Sequence, residues 1–229
     1  MDSLALIRSQ IAAACQRVGR DPQEVTLLGA SKTVEAKRLE PFCVQGLQDF
    51  GENYVQEGLG KVRFFQERGL NPTWHLIGAL QSNKARDAVA HFDVIHSLDR
   101  LSLAKELDKE ARKIGKIQRV LIQVNVGHED SKAGISAEAL PELLESCGAF
   151  SHIRVEGLMS LPPYSYDPEQ TRPYHRQLRE LRDQSSSSKH PLATLSMGMS
   201  RDFEIAIEEG ATHVRIGTAL FGTRSYTAQ

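Results

Sequence analysis

Apolar residues recur at helical spacing in the first segment of the chain and then cluster in short runs. On the first segment they are Leu4, Ile7, Ile11, Ala14 and Val18. This spacing predicts a helix that precedes any strand, with Ser3 as its N-cap and Gly19 at its end.

Eight short runs rich in β-branched and aromatic residues follow, and they predict strands. The six stronger runs are Val25 to Ala30, Thr73 to Ile77, Val94 to His96, Val120 to Val126, Ile153 to Met159 and His213 to Gly217. The two weaker ones are Leu47 to Phe50 and Thr194 to Met197. Amphipathic stretches such as Leu101 to Ile114 lie between them and predict helices.

The alternation of strands and helices indicates the fold class. The unbroken apolar sequence from Val120 to Ile122 predicts strands buried on both faces, as in a parallel sheet covered by helices. About eight such repeats predict an α/β protein with a single-domain TIM-type (β/α)8 barrel over residues 1–229 and an extra N-terminal helix. A doubly wound open sheet is the alternative, if the two weaker runs are loops. The serine run from Ser185 to Ser188 predicts a flexible connection rather than a domain linker.

Composition narrows the class of protein. The chain has 28 Lys and Arg against 29 Asp and Glu, so its net charge of -1 favours neither nucleic acid nor an anionic membrane as a partner. Arg8 and Gln10 interrupt the N-terminal region where a signal peptide would need apolar residues. The three cysteines, Cys15, Cys43 and Cys147, lack CxxC spacing and predict reduced thiols. We therefore expect a cytoplasmic protein.

A lysine directly after the first predicted strand is the first candidate for chemistry. The sequence Ser31-Lys32-Thr33 follows that strand, and the ends of barrel strands are where active sites form. A lysine that is desolvated there can lose its proton and attack a carbonyl as a free amine. Considered alone, Lys32 is more often a solvated surface charge, so its role depends on its surroundings.

Two loops near the C-terminus supply such surroundings. After the seventh predicted strand, Ser200 is a candidate N-cap, with Asp202 in the first turn of the following helix. After the eighth, Gly217 and Thr218 open a segment where backbone amides can approach an anion. These loops are the usual phosphate site of a TIM barrel. With Lys32 they predict a phosphorylated carbonyl ligand, which could be pyridoxal 5'-phosphate or a phospho-sugar.

Arg215 favours the first of these ligands. It shares strand parity with Gly217, so its side chain is expected to point into the barrel mouth and could face a pyridine nitrogen. A cation there would keep the ring nitrogen unprotonated and weaken the ring as an electron sink. The alternative for a single arginine is a salt bridge.

The remaining polar residues are less specific. His75 and His96 could enter the mouth, but strand-end histidines are more often hydrogen-bonded structural residues. The sequence contains no HExxH, GxGxxG or GxxxxGK[ST] motif and no cluster of cysteines or carboxylates, so we expect no metal, dinucleotide or P-loop site.

Several blocks of sequence together resemble one family. They are Ala30-Ser31-Lys32-Thr33, Phe50-Gly51-Glu52-Asn53-Tyr54, His75-Leu76-Ile77-Gly78, Leu80-Gln81-Ser82-Asn83-Lys84, Gly157-Leu158-Met159, Leu195 to Asp202, Arg215-Ile216-Gly217-Thr218 and Phe221-Gly222. In this order they closely resemble the pyridoxal phosphate homeostasis protein family, also called YggS/PROSC. The fold of that family is similar to the N-terminal barrel of alanine racemase.

The resemblance implies roles for individual residues. Lys32 would form the internal aldimine with pyridoxal 5'-phosphate, and Ser200, Gly217 and Thr218 would hold its phosphate. Asn53, Met159 and Arg215 would lie around the ring, with Ser196 close by. No catalytic residue is implied, because family members bind the cofactor and influence vitamin B6 and amino-acid balance without an accepted reaction.

Three functions remain in competition. The first is a non-catalytic protein, expected to be a monomer, that buffers pyridoxal phosphate or delivers it to apo-enzymes. The second is an amino-acid racemase, which needs a second acid or base that related enzymes take from an additional domain and a partner subunit. The chain ends at Gln229, shortly after the eighth predicted strand, so we expect no such domain. The third is a lysine aldolase for a phospho-sugar.

Overall fold

Eight parallel strands form a closed barrel in the computed structural model, which describes residues 2–127 and 133–222. The strands are β1 Thr26–Ala30, β2 Asp49–Glu52, β3 Thr73–Leu76, β4 Val94–Leu98, β5 Gln118–Gln123, β6 Ile153–Met159, β7 Thr194–Met199 and β8 His213–Ile216. They follow one another around the barrel in chain order. The ring closes where β1 pairs with β8, with Leu28 beside Arg215. The predicted TIM-type barrel is therefore confirmed, and the doubly wound alternative is wrong.

Helices cover the outside of the barrel. In the described part of the chain they are α1 Ser3–Arg17, α2 Ala36–Val44, α3 Val55–Gln66, α4 Ala85–His91, α5 Leu101–Lys113, α6 Leu140–Cys147, α7 Arg172–Ser185, α8 Phe203–Glu208 and α9 Thr218–Phe221. None of these helices has the length and hydropathy needed to cross a membrane.

The apolar core has two layers that follow strand parity. Val120 and Ile122 pack outward against the helices, whereas Leu121 faces the barrel interior with Val94 and Met159. Both faces of β5 are thus buried, as its continuous apolar sequence predicts. Polar residues also lie inside the barrel, and these residues determine the chemistry of the mouth above them.

The N-terminal helix is present, but its cap differs from the prediction. The carboxylate of Asp2 accepts the Leu4 N–H at 3.3 Å, so Asp2 is the N-cap of α1. Ser3 is the first helical residue, and its hydroxyl donates to the Leu220 carbonyl at 2.8 Å. This bond ties the start of α1 to the last described helix.

Some predicted strand ends are also wrong. β2 covers Asp49–Glu52 rather than Leu47 to Phe50, because Asp49 and Glu52 find polar partners inside the fold. β5 ends at Gln123 rather than Val126, since the chain beyond it turns away after one bridge between Val124 and Ile135. β4 extends to Leu98 and β7 to Met199, two residues beyond their predicted ends. Each extension carries the chain further toward the mouth.

Candidate functional site

A cavity of about 620 Å³ opens at the C-terminal ends of the strands. Loops after six of the eight strands contribute to its wall, as expected for a TIM barrel. Its lining includes Ala30, Lys32, Thr33, Arg38, Asn53, Ile77, Leu161, Tyr164, Met199, Ser200, Arg201, Asp202, Arg215, Gly217, Thr218 and Phe221. Six of the eight residues predicted for the site, Lys32, Asn53, Ser200, Arg215, Gly217 and Thr218, are in this set.

Lys32 lies on the loop directly after β1 and is partly buried in the cavity wall. The residue before it, Ser31, is fully buried and donates its backbone N–H to the Gly51 carbonyl at 2.9 Å. The residue after it, Thr33, has a φ of 65°, which is a left-handed conformation that costs a threonine about 1 to 2 kcal/mol. The loop is thus held in one specific shape, with the lysine facing the cavity.

The loops after β7 and β8 meet on the opposite side of the cavity. Gly217 donates its backbone N–H to Ser200 Oγ at 3.3 Å, which leaves the serine hydroxyl free to donate to a ligand. Thr218 begins the short helix α9, and the N–H groups of Thr218 and Ala219 have no acceptor within that helix, whereas Leu220 donates to the Gly217 carbonyl at 3.0 Å. A Cβ added to Gly217 would lie 3.1 Å from the Ala30 carbonyl oxygen, so a side chain would crowd β1 here. These hydroxyl and amide donors suit a phosphate group.

Asp202, not Ser200, is the N-cap residue of α8, so this part of the prediction is wrong. A turn from Met199 to Asp202 separates the strand from the helix. The Asp202 carboxylate accepts the Met199 N–H at 2.7 Å with one oxygen and bonds His175 Nε2 at 2.9 Å with the other. Burial opposes ionisation of this carboxyl, but the contacts with His175 and Met199 outweigh it and lower the pKa of Asp202. Asp202 thereby fixes the turn that carries Ser200.

Arg215 lies on the barrel floor with 3% of its surface exposed. Its guanidinium donates from Nη1 to Ser196 Oγ at 2.7 Å and from Nη2 to the Ser160 carbonyl at 2.8 Å. Burial lowers its pKa to about 10, so it is still a cation at neutral pH. Both of these hydrogen-bond acceptors are neutral, and the Asp202 carboxylate acts on the guanidinium only through its charge. The prediction that Arg215 points inward is confirmed.

A line of hydrogen bonds continues from Arg215 through the barrel interior. Ser196 Oγ contacts His96 Nδ1 at 3.0 Å, His96 Nε2 contacts His75 Nδ1 at 2.9 Å, and His75 Nε2 contacts Asp49 at 3.0 Å. A guanidinium can only donate and a carboxylate can only accept, so the two ends of the line are fixed: Arg215 donates to Ser196, and Asp49 accepts from His75. Burial, followed by the electrostatic effect of the neighbouring His75, lowers the pKa of His96 well below its usual value. His96 is therefore a neutral structural residue.

The last two predicted residues, Met159 and Ser196, lie below the cavity rather than in its wall. Met159 is fully buried against Val94 and Leu121, and Leu161, which does line the cavity, packs over this cluster. Asn53 belongs to the wall, at a point where the chain approaches itself closely. A Cβ on Gly78 would lie 2.2 Å from the Asn53 carbonyl oxygen, so glycine is required there.

One wall of the cavity was not predicted from the sequence. The segment after β6 supplies Leu161, Pro162, Pro163 and Tyr164, and it continues to Pro168. Arg201 hydrogen-bonds to the Tyr164 hydroxyl and lies 5.1 Å from the centre of its ring. The prolines directly after a strand that ends at the mouth are a signal that could have indicated this wall.

The chemistry of the cavity follows from these groups. An amine, a buried cation and a set of hydroxyl and amide donors surround one space of about 620 Å³. The amine can attack a carbonyl, the donors can hold a phosphate, and the cation can face a basic ring atom. The residues present therefore fit pyridoxal 5'-phosphate, which carries an aldehyde, a phosphate and a pyridine nitrogen.

Comparison with known proteins identifies relatives across nearly the full chain. The family described as the alanine racemase N-terminal domain matches residues 3–225. A pyridoxal phosphate homeostasis protein of Aquifex aeolicus is 48% identical over 226 residues, covering 98% of both chains. A protein of the same description from Escherichia coli K12 is 43% identical over 232 residues, covering 98% of this chain and 97% of that one.

Solved structures agree with this result. PipY from Synechococcus elongatus, whose structure has PLP bound, is 35% identical with a TM-score of 0.82, covering 93% of this chain and all of PipY. An alanine racemase from Clostridium difficile is 16% identical with a TM-score of 0.73. At this identity the likeness shows the fold alone; it covers 99% of this chain and 58% of the racemase.

Proposed function

The chain belongs to the pyridoxal phosphate homeostasis protein family, and we propose that it holds pyridoxal 5'-phosphate covalently on Lys32 without catalysing a reaction. The observation that carries this proposal is that Lys32, Arg215 and the joined loops of Ser200 and Gly217 line one cavity. The relatives described above support the proposal. The PipY structure has PLP bound, and the Aquifex aeolicus relative is described as a pyridoxal phosphate homeostasis protein.

Lys32 is the proposed attachment point. Bound pyridoxal phosphate supplies an aldehyde that forms a reversible C=N bond with an amine. The loop around Lys32 aims the side chain at the cavity, so this nitrogen meets a carbonyl without moving the backbone. At the other side of the cavity, the proposed phosphate donors are the hydroxyls of Ser200 and Thr218 and the backbone N–H groups of Thr218 and Ala219.

Arg215 is the proposed partner of the ring nitrogen. Ser196 and Ser160 hold its guanidinium in place, and its charge disfavours a proton on the nitrogen that it faces. Asn53 would contact the ring from the side of β2, while Met159 would support it from below through Leu161. The pyridine would then be a weak electron sink.

A weak electron sink favours a carrier over an amino-acid racemase. Racemisation also needs a second positioned acid or base. Tyr164 does line the cavity, which keeps the racemase as the alternative. Its side chain is 66% exposed, however, and its hydroxyl is held by Arg201, so nothing in the described chain aims it at a reacting carbon. We therefore propose that the protein buffers the cofactor or delivers it to apo-enzymes.

The three free, buried cysteines fit a reducing compartment, and we propose a cytoplasmic monomer whose whole binding unit is the barrel. The direct test is the visible spectrum of the purified protein before and after borohydride. We expect an imine absorption band that disappears on reduction. A colourless protein that pyridoxal phosphate cannot reconstitute would contradict the proposal and would leave the phospho-sugar aldolase as the alternative.

A further inference from the structure

Lys61 on α3 forms a buried ion network beneath the loop that carries Lys32. Its ammonium donates to Glu52 Oε1, to Glu57 Oε1 and to the Ser31 carbonyl, each at 2.7 Å. Lys61 is 5% exposed and Glu52 is fully buried. The cluster lies between α3 and the ends of β1 and β2, and none of its three charged side chains lines the cavity.

This network holds the backbone on both sides of Lys32. Before the lysine, the Ser31 carbonyl accepts from Lys61 and the Ser31 hydroxyl donates to Glu52 Oε1 at 2.5 Å. After it, Thr33 donates its backbone N–H to Glu57 Oε1 at 2.5 Å. The left-handed φ of Thr33 is costly and persists only where its surroundings enforce it. Glu57 supplies that restraint.

The network is poorly suited to stabilising the fold. Two carboxylates share one cation, and Glu52 Oε2 is buried without a hydrogen-bond partner within the described residues. Burial raises the pKa of Glu52, although Lys61 and Ser31 oppose this change. Buried ion pairs can often be replaced by apolar residues at no loss of stability. A positional role explains this arrangement better than stability does.

We propose that Glu52, Glu57 and Lys61 are positioning residues that fix the backbone around Lys32 and so determine how readily its amine reaches a carbonyl ligand. This role rests on the proposed function, since it assumes that Lys32 is the attachment point. In the step concerned, the lysine nitrogen and the aldehyde carbon form a C=N bond, and the carbonyl oxygen leaves as water with the two amine hydrogens.

Two variants at Glu57 distinguish the effect of its hydrogen bond with the Thr33 N–H from the effect of its charge. Glu57→Ala removes the acceptor of the Thr33 N–H, whereas Glu57→Gln retains an oxygen there. Glu57 lies in the first turn of α3 with 27% of its side chain exposed, so its removal should be tolerated by the fold. Glu106→Ala is the matched control, because Glu106 is ion-paired to Lys109 on the remote helix α5.

Two ligands distinguish attachment from binding. Pyridoxal 5'-phosphate reports covalent attachment by borohydride trapping, and pyridoxine 5'-phosphate, which has no aldehyde, reports binding in the cavity. For Glu57→Ala we expect trapping about tenfold slower and an unchanged affinity for pyridoxine phosphate, because small misplacement of a reacting group slows its reaction strongly. Glu57→Gln should restore most of the trapping rate, and Glu106→Ala should match the wild type.

Amide hydrogen exchange in the ligand-free protein gives an independent readout. The Thr33 amide should exchange faster in Glu57→Ala than in the wild type or in Glu57→Gln. A wild-type trapping rate in Glu57→Ala, or an equal loss for both ligands, would overturn the positioning role. If the wild-type protein traps no ligand on Lys32, the proposed function itself fails, while faster Thr33 exchange would still identify Glu57 as the restraint on this loop.

Discussion

Ser200 Oγ accepts the backbone N–H of Gly217, and this single contact joins the loops after the seventh and eighth strands. The loops come from positions 17 residues apart, yet they present their donors to one space. An anion held there would contact both loops at once.

The first prediction concerns these donors. Ser200→Ala and Thr218→Val should each weaken retention of pyridoxal 5'-phosphate about tenfold to hundredfold, because each removes a charge-assisted hydrogen bond of about 1.5 to 3 kcal/mol. Equilibrium dialysis measures the loss, with Ser102→Ala on the outer helix α5 as the control. Equal affinity of the wild-type protein for pyridoxal and its phosphate would show that these loops hold no phosphate.

A second prediction concerns the turn that carries Ser200. Asp202→Ala should lower the free energy of unfolding by about 2 kcal/mol, since it leaves the Met199 N–H and His175 Nε2 without their acceptor. Asp202→Asn should cost less, because its amide oxygen can still accept from Met199. Urea titration measures both variants. If the alanine variant is as stable as the wild type, Asp202 does not anchor this turn.

Histidines with lowered pKa values predict how stability depends on pH. Burial, followed by the electrostatic effect of the neighbouring His75, lowers the pKa of His213 to about 3, and Asp49 only partly opposes this change. The unfolded chain binds a proton near pH 6.5, which the native state excludes. The stability that depends on the neutral histidine is therefore fully present above pH 6.5. It is lost as the pH falls toward 3, by about 1.4 kcal/mol per pH unit for each histidine whose pKa is lowered in this way.

Urea unfolding between pH 7.5 and pH 5 measures this slope above the range in which carboxylates titrate. His96, whose pKa is also lowered, should contribute in the same direction. His213→Gln should make the decline shallower. A slope that is unchanged in this variant would mean that His213 is protonated in the folded protein.

Sequence patterns predicted the barrel but only part of its polar interior. The apolar runs sufficed for the strands because a parallel sheet buries both faces. The line from Asp49 through His75 and His96 to Ser196 could not be predicted, because it depends on the register of β2, β3 and β4 and on barrel closure, which brings β7 opposite β4. His96 and Ser196, for example, are 100 positions apart.

The Lys61 network could not be predicted from the sequence for a related reason. Glu52 belongs to a block that resembles the family, but its contact with Lys61 depends on how α3 packs against β2. Lys61 and Glu57 have the i,i+4 spacing of an ordinary surface ion pair on a helix. Local spacing cannot show that such a pair is buried beneath a loop.

A fourth prediction concerns turnover. The holoprotein should transfer its cofactor to an apo-enzyme but should exchange the α-protons of L-alanine negligibly. The proposed contact of Arg215 with the ring nitrogen would weaken the electron sink, and a second positioned base is lacking in the described chain. Proton exchange in deuterated water and chiral analysis measure the chemistry. Sustained racemisation that disappears in Lys32→Ala would restore the racemase.

The attachment of pyridoxal phosphate to Lys32 is tested most directly by mass spectrometry of the borohydride-reduced holoprotein. We expect a pyridoxyl adduct on the peptide that contains Lys32. In Lys32→Ala we expect no adduct there, although this variant would retain some cofactor non-covalently through the phosphate donors. An adduct found mainly on Lys84, which ends the turn Ser82–Lys84, or on Lys132, which lies outside the described residues, would contradict it.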